Sequence, residues 1–296
     1  MACPNVAYGW LLACDSSGYH TSPATSVLIL PCFRMSRVVN VASYKFAPLA
    51  DLPEKQAQLL ALTQAHALKG TILLAPEGIN LFLAGAAANV QSVLDAIQAM
   101  PEIGTLEVKH SYSDDVPFGK MRVRIKREII RMDHPAIRPV SGRAPAVDPS
   151  TLARWLDQGH DDQGRPVVML DTRNAFEVDA GTFEGAIDWR IGKFTEFPQA
   201  LKAHRQDLAN KTVVSFCTGG IRCEKAALFM AEEGVENVFQ LEGGILKYFE
   251  TVGQKHYAGT CFVFDERETL DATLAPSAQS GTAAVPATND SASPAP

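Results

Sequence analysis

Cys217 lies where a short apolar segment passes into a helix-forming one, within the run Val213 to Lys225. Four residues separate it from Arg222, and two of these are Gly219 and Gly220. Successive backbone N–H groups of such a loop can point inward, and together with a helix N-terminus and a guanidinium they favour negative charge on sulfur. The pattern predicts a reactive thiolate at Cys217, although most free cysteines are inert small hydrophobic residues.

Several neighbours of this loop in the predicted fold are candidates for supporting roles. Cys223 follows Cys217 by six residues, so it is either a resolving thiol or a buried helix residue. Asp171 and Arg173 are expected to support the loop as an ion pair, and Arg173 could also face the pocket. Glu177, at a helical position, is either a solvated carboxylate or a site residue.

The spacing of the loop separates two kinds of cysteine chemistry. A cysteine phosphatase places five residues between its Cys and Arg so that the loop surrounds a tetrahedral phosphate, whereas Cys217 and Arg222 have four between them. The shorter loop, Thr218 to Ile221, predicts chemistry at sulfur or at a small electrophilic centre instead of phosphoryl transfer.

A row of cations alternates with apolar residues between Phe118 and Met132. One face of the predicted strand carries Met121, Val123 and Ile125. The other face carries the basic row, which consists of Lys120, Arg122, Arg124 and Lys126. Side chains two apart on a strand lie roughly 7 Å apart, similar to phosphates along an extended nucleic acid. The basic row therefore predicts a track for a nucleic-acid backbone; the alternative is a charged edge that only deters aggregation.

The segment before this row predicts an α+β unit. From Arg37 to about Lys109 the order is strand, helix, strand, strand, helix, strand, as in a ferredoxin-like domain. Asp51 is expected to cap the first helix, with Pro53 in its first turn. Two short strands, 71–75 and 79–84, predict a hairpin, and the last strand is expected at 105–109.

The second half of the chain alternates short apolar strands with helices. This order predicts a parallel sheet covered on both faces, with the site at the carboxyl ends of its strands. The predicted strands are 167–171, 212–216 and 238–241, and the predicted helices are 149–156, 198–208, 223–233 and 244–251.

Composition shifts divide the chain into six segments. The predicted fold class is α/β, with an N-terminal ferredoxin-like α+β domain followed by a parallel α/β domain. Met35 directly precedes the first strand, so the natural protein is expected to start there. The segments are a flexible extension (1–36), the ferredoxin-like domain (37–133), a linker (134–148), the parallel domain (149–255), a C-terminal extension (256–271) and a disordered tail (272–296).

Overall composition excludes several classes of protein. The 296 residues carry a net charge of -6, and no run of about 18 apolar residues occurs, so neither a globally basic nucleic-acid binder nor a membrane span is expected. The six cysteines and seven histidines are scattered, which predicts a reducing cytoplasm, no disulfide framework and no protein-bound metal. Cys261 lies in an apolar, strand-like run, so packing is its expected role.

Five features of the second domain together resemble a rhodanese domain over about residues 145–255. They are Leu170-Asp171-Thr172-Arg173-Asn174, Glu177, Gly185-Ala186, the loop that starts at Cys217, and Leu241-Glu242-Gly243-Gly244-Ile245.

A more specific resemblance covers about residues 38–267. Its motifs are Ala75-Pro76-Glu77-Gly78-Ile79-Asn80, the basic strand from Phe118 to Ile130, Cys217 to Lys225, and Cys261-Phe262-Val263-Phe264-Asp265. Together they resemble the tRNA uridine hydroxylase family. The resemblance implies conversion of the wobble uridine of tRNA to 5-hydroxyuridine, with Cys217 as catalytic cysteine and molecular oxygen as oxygen source.

Two alternatives remain open at this point. No flavin, haem or iron signature is evident, so no cofactor is expected beyond oxygen and a reductant that the sequence does not identify. A rhodanese-type sulfurtransferase would carry a persulfide on Cys217, and a non-catalytic tRNA-binding or redox-sensing protein would form a reversible Cys217–Cys223 disulfide. A simple sulfurtransferase requires neither the basic row nor the first domain, and tRNA is the expected partner.

Overall fold

The computed structural model describes residues 37–277. The predicted N-terminal extension, the expected start at Met35 and most of the predicted tail lie outside the described residues. The first part of that tail, 272–277, is described: Thr273 and Ala275 donate their backbone N–H groups to Asp271 Oδ1, and Leu274 packs against the core of the second domain. These six residues form a folded turn, unlike the disordered segment that the sequence predicts.

The first domain is a five-stranded sheet with two helices packed on one face. Its strand order is β4-β1-β3-β2-β5, in which β2 and β3 form the predicted hairpin and β5 lies parallel to β2 at one edge. The elements are β1 (Val38–Phe46), α1 (Leu52–Ala65), β2 (Lys69–Ala75), β3 (Gly78–Gly85), α2 (Ala87–Gln98), β4 (Lys109–Ser113) and β5 (Met121–Ile125). The first four strands give the predicted ferredoxin-like order, and β5 extends it.

Alternation along the strands gives this sheet one apolar and one mixed face. Val41, Leu81 and Ile72 belong to the core beneath α1 and α2. Their neighbours in sequence project from the opposite face, because successive side chains of a strand alternate. We call this the cavity face, and its members include Asn40, Tyr44, Asn80, Phe82, Lys109 and Ser111.

Two predicted details of the first domain are wrong. β4 begins at Lys109, where the sequence placed the end of the strand. Asp51 adopts a left-handed φ of 51° and makes no side-chain cap, although Pro53 does lie in the first turn. Met121, Val123 and Ile125 share one face of β5 as predicted, although Ile125, at the end of the strand, is exposed.

The second domain is built on a four-stranded parallel sheet of order β6-β10-β9-β7. Val214 and Phe216 of β9 pack on one side of it, and Val213 packs on the other. The predicted parallel sheet with two covered faces is thus confirmed. Its elements are β6 (Ala146–Val147), α3 (Pro149–Gln158), β7 (Val167–Asp171), α4 (Ala175–Ala180), β8 (Gly181–Phe183), α5 (Phe197–His204), β9 (Thr212–Phe216), α6 (Ile221–Glu232), β10 (Val238–Leu241) and α7 (Gly244–Val252).

A C-terminal segment returns along the second domain and reaches the first. Its strands β11 (Tyr257–Gly259), β12 (Cys261–Phe262) and β13 (Thr269–Leu270) form two small antiparallel pairs, β11 with β8 and β12 with β13. Arg267 then donates from its guanidinium to Ser111 Oγ of β4 at 2.8 Å. The segment therefore connects the two domains.

Lys225 of α6 binds the first domain through a buried ion cluster. Its side chain is 2 % exposed. The ammonium donates to Glu128 Oε2 at 2.6 Å, to Glu77 Oε1 at 2.9 Å and to the Ile130 carbonyl at 3.0 Å. Glu77 also accepts from the backbone N–H of Ile129 at 2.8 Å. Each ammonium proton thus has an acceptor, which is the condition under which a buried charge is tolerated.

Replacing Lys225 with Met should lower the free energy of unfolding by about 3 kcal/mol, because it leaves Glu77 and Glu128 together without their cation. Urea unfolding measures the change. Lys202, whose exposed side chain meets Glu233 at 3.4 Å, is the matched control, and Lys202→Met should change stability by less than about 0.5 kcal/mol. Equal effects of the two substitutions would contradict a clamping role for Lys225.

Candidate active site

The Cys217 loop has the predicted position between a buried strand and a helix. β9 ends at Phe216 and α6 begins at Ile221, so the loop comprises the four residues from Cys217 to Gly220. Gly220 has a φ of 97°, a conformation that residues with a side chain rarely adopt. This turn lets the chain enter α6 with its first N–H groups directed at the loop interior.

The start of α7 holds the outer side of the loop. The backbone N–H groups of Ile245 and Leu246 donate to the carbonyl oxygens of Cys217 and Thr218 at 3.0 and 3.1 Å. Gly244 permits this approach, because a Cβ there would lie 2.5 Å from the Cys217 carbonyl oxygen. With its carbonyl groups bonded outward, the loop can present N–H groups to the sulfur.

Cys217 Sγ is stabilised as a thiolate. The Gly220 N–H donates to it at 3.1 Å. Burial by itself raises the pKa of Cys217. Three influences outweigh burial and lower that pKa to about 5: a hydrogen bond from the Cys223 thiol, the charge of Arg222, and the backbone N–H groups of Arg222 and Cys223. Sulfur at this position is ionised at neutral pH, as the sequence predicts.

Arg222 acts on the sulfur through its charge and backbone while its side chain binds Glu177. The two guanidinium Nη atoms donate to the Glu177 carboxylate at 2.6 and 2.7 Å, and Glu177 has no exposed surface. The interpretation of Glu177 as a solvated carboxylate is therefore wrong. Glu177 fixes the guanidinium close to the loop in a bidentate pair.

Asp171 and Arg173 form the expected ion pair, with both side chains fully buried. Arg173 Nη2 donates to Asp171 Oδ2 and to the Gly181 carbonyl, each at 2.6 Å. Thr182 donates to the same carboxylate oxygen at 2.8 Å. The pair thus joins the end of β7 to β8. Arg173 does not line the cavity described below.

The two other cysteines of the described chain are buried and free. Burial, followed by the Cys217 thiolate, raises the pKa of Cys223 well above the ordinary thiol value. Cys223 is consequently a neutral hydrogen-bond donor beside Cys217, and a resolving role for it stays a prediction. Burial raises the pKa of Cys261 to about 12, which agrees with a packing residue.

A cavity of about 660 Å³ lies between the Cys217 loop and the cavity face of the first domain. Cys217 has no exposed surface and belongs to the second-domain wall. A third wall comes from the C-terminal segment, where Phe264 packs edge-on against Phe176 and Phe262. Phe264 is 52 % exposed and thus presents an aromatic surface at the cavity.

Tyr44 and Lys109 bring first-domain groups close to the loop. The Tyr44 hydroxyl donates to Glu224 Oε1 at 2.8 Å, and Lys109 Nζ lies 5.2 Å from the centre of the Tyr44 ring. Burial raises the pKa of Tyr44 and lowers the pKa of Lys109. The Cys217 thiolate acts on both groups, raising the pKa of each, so both are within electrostatic reach of the sulfur.

The basic row lies at the edge of the same sheet. Arg122 and Arg124 are exposed, and in β5 they pair in register with Thr71 and Leu73 of β2. Leu73 lines the cavity, and register partners of parallel strands project from one side. Arg122 and Arg124 therefore project from the cavity face. Lys120 and Lys126 flank β5 outside its bounds.

The sequence alone missed the first-domain members of this site. Asn40 and Lys109 are buried polar residues, and Tyr44 is half-buried, within or beside apolar strands. One signal was available in the sequence: polar residues interrupt β1, which is otherwise apolar. Such a pattern indicates that the second face of the strand is also covered by protein. The second domain supplies that cover.

Within residues 37–277, no three His, Cys, Asp or Glu side chains are grouped so that they could hold a metal ion. None of the helices in that range has the length and hydropathy needed to cross a membrane.

Comparison with known proteins assigns both halves of the chain. Residues 38–129 match the model of the UPF0176 acylphosphatase like domain, and residues 149–251 match that of the rhodanese-like domain. A protein of Bordetella petrii named tRNA uridine(34) hydroxylase is 67% identical over 242 residues, covering 82% of this chain and 96% of its own. A protein of Variovorax paradoxus with the same name is 64% identical over 236 residues, covering 80% of this chain and 90% of its own. The solved rhodanese-like domain of an Anabaena protein has a TM-score of 0.32 and 18% identity, covering 39% of this chain and 79% of that one.

The ultraviolet absorbance of thiolate should titrate in the folded protein with a midpoint near pH 5, and Cys217→Ser should remove that transition. The unfolded chain binds this proton up to the ordinary thiol pKa of 9.0. Cys217 should therefore stabilise the fold fully above about pH 9, with the contribution lost as the pH falls through about 5. Cys261→Ser is the control and should keep the transition. A midpoint near the ordinary thiol value would contradict the stabilised thiolate.

Proposed function

The chain belongs to the tRNA uridine(34) hydroxylase family, and we propose that it converts the wobble uridine to 5-hydroxyuridine in the Cys217 cavity. The family resemblance noted in the sequence is confirmed by these relatives. The chain is accordingly an oxidoreductase that acts on tRNA and carries a rhodanese-like domain. A cytoplasmic location, as the sequence predicts, would place it with its substrate.

One observation supports the role of Cys217 above all others, namely an ionised sulfur in the wall of a cavity shared by two domains. A thiolate is a strong nucleophile, and burial away from water preserves that reactivity. The cavity of about 660 Å³ is large enough to admit one nucleobase. Since Cys217 exposes no surface, entry of a base requires the side chains above the sulfur to move aside.

Hydroxylation at C5 of uracil requires that carbon to become electron-rich. We assign this step to Cys217: its sulfur bonds to C6, and the electron pair of the C5=C6 bond moves toward C5 and O4. After oxygen has been transferred to C5, loss of the C5 proton re-forms the double bond and expels the sulfur from C6. The nucleophile is regenerated, and the net change at C5 is H to OH.

The remaining atoms balance with molecular oxygen and a reductant. One oxygen atom of O₂ enters the base, and the other leaves as water when an external donor supplies two electrons and two protons. Neither flavin nor haem nor metal enters this scheme. The buried thiolate and its N–H donors hold the negative charge before attack and again after elimination.

Docking of tRNA is assigned to the basic row. The wobble base lies in a single-stranded loop, so it can leave its stack and enter a cavity. Arg122 and Arg124 project from the sheet face that lines this cavity, where cations can bind the phosphates that flank the base. The same sheet then positions the backbone and admits the base.

Cys217→Ala should abolish 5-hydroxyuridine formation when purified protein is incubated with unmodified tRNA, a reductant and labelled oxygen. Nucleoside mass spectrometry detects the product and its label. Cys261→Ala, which also removes a buried thiol, should retain activity. Undiminished product from Cys217→Ala would exclude the nucleophilic role. If the wild-type protein instead transferred sulfur from thiosulfate and left uridine unchanged, the rhodanese-type sulfurtransferase would be the better assignment.

Replacing all four residues of the basic row with Ser should weaken tRNA binding and flatten its salt dependence, by up to about three units in the slope of log K against log salt. Filter binding across a salt series measures both quantities. The control removes an equal charge elsewhere on the second domain, outside the cavity lining, by Ser substitution of Arg154, Lys202, Arg205 and Lys255. Equal slopes for the two variants would exclude the basic row as the phosphate track.

A further inference from the structure

Asn40 of β1 offers an unused hydrogen-bond acceptor to the cavity. Its side chain is 2 % exposed and it lines the same cavity as Cys217. Nδ2 donates to Ser113 Oγ at 2.9 Å, whereas Oδ1 has no partner among the described residues. A buried carbonyl oxygen without a donor destabilises the folded protein. Such an atom in a cavity wall suggests that a ligand supplies the missing donor.

The orientation of the Asn40 amide is fixed by its neighbour. Ser113 Oγ donates its one proton to the Asp115 carbonyl at 2.6 Å, so toward Asn40 it can act only as an acceptor. The amide must therefore turn Nδ2 toward Ser113. Oδ1 is thus the amide atom left without a partner among the described residues.

Lys109 of β4 offers donors from the same wall. It is 5 % exposed, and its ammonium contacts Glu107 Oε1 at 3.5 Å and the Tyr44 ring. An ammonium has three N–H donors, so these contacts leave capacity for a ligand. Lys109 pairs in register with Ala42, and Asn40 pairs with Ser111. Lys109 and Asn40 are thus diagonal neighbours on one face, roughly 7 Å apart at the backbone.

We propose that Asn40 and Lys109 form a subsite that recognises the edge of uracil, with Asn40 Oδ1 accepting from N3–H and Lys109 Nζ donating to O4. The inference rests on the proposed function and extends it to base selection. Uracil presents a donor and an acceptor side by side at N3 and O4. Cytosine presents an acceptor at N3 and an amino donor at C4, so both contacts would be reversed. A site built on such hydrogen bonds rejects the wrong base strongly.

The same contact aids the chemistry. When Cys217 sulfur bonds to C6, negative charge develops on O4, and a cation placed there stabilises the transition state more than the bound uridine. Lys109 lies within electrostatic reach of Cys217. Recognition of uracil and activation of its C5 carbon would then depend on one side chain.

The test pairs changes in the protein with changes at one position of the base. Anticodon stem-loops carry uridine, 3-methyluridine (which has a methyl group in place of the N3 hydrogen) or 4-thiouridine (a poorer acceptor at C4) at the wobble position. Their Kd values are measured by fluorescence anisotropy with Cys217→Ser protein, in which no reaction intervenes. With Asn40 present, 3-methyluridine should bind about fivefold or more weaker than uridine. In the added Asn40→Ala variant the two should bind equally, and Lys109→Met should likewise equalise uridine and 4-thiouridine.

Matched variants and outcomes separate recognition from stability. Asn89 also anchors its amide, by donating to the His66 carbonyl at 3.0 Å, but it lies outside the cavity, so Asn89→Ala should retain both preferences. Asn40→Asp keeps an acceptor oxygen and should still prefer uridine over 3-methyluridine. Equal binding of the two stem-loops with Asn40 intact, or equal weakening of both by Asn40→Ala, overturns the inference. Failure of wild-type protein to form any 5-hydroxyuridine would instead overturn the proposed function.

Discussion

The rest of this structure depends on one constraint: Cys217 carries a negative charge although its side chain has no exposed surface. Burial opposes ionisation of a thiol, so the fold must supply compensation from several directions. The Gly220 N–H contributes one hydrogen bond, and Arg222 contributes charge. Both are themselves held in place, because α7 binds the loop carbonyls and Glu177 binds the guanidinium. A loop of four residues achieves this only with a left-handed Gly220.

The cavity beside Cys217 needs the first domain as well as the second, because the first domain forms one of its walls. That wall is the cavity face of the first sheet, and its position depends on Lys225, which follows the loop on the first turns of α6. One short stretch of chain thus carries the proposed nucleophile, its charge partner Arg222 and the cation that binds the first domain. Glu77 of the Ala75-to-Asn80 motif completes the clamp. This explains physically why that motif and the Cys217 loop belong to one site although they are far apart in the sequence.

Local sequence patterns predicted the strands of the second domain, because the structure of such apolar runs is determined by nearby residues. Val167–Asp171, Thr212–Phe216 and Val238–Leu241 match the predicted strands because apolar runs of that length have few alternatives in an α/β sheet. Glu177 was misinterpreted because no local signal shows that a carboxylate 45 residues before Arg222 will be buried against it. Asn40 and Lys109 were missed for a related reason. The alternation of residues along a strand shows which side chains point away from the core of their own domain. Only the position of the second domain shows that those side chains are buried.

The order of strands in the first sheet sets the distance between the proposed phosphate contacts and the proposed base contacts. From β5, which carries the exposed arginines, three strand spacings lead to β1, and β4 follows. At about 4.8 Å per spacing, β5 and β1 are separated by roughly 14 Å. In the proposed docking, phosphate contacts at one edge and base contacts at the other therefore involve different nucleotides of a loop laid across the sheet. An RNA duplex keeps its bases paired and its major groove inaccessible, so this arrangement favours an unpaired anticodon loop whose wobble base turns toward Cys217 while its neighbours stay on the surface.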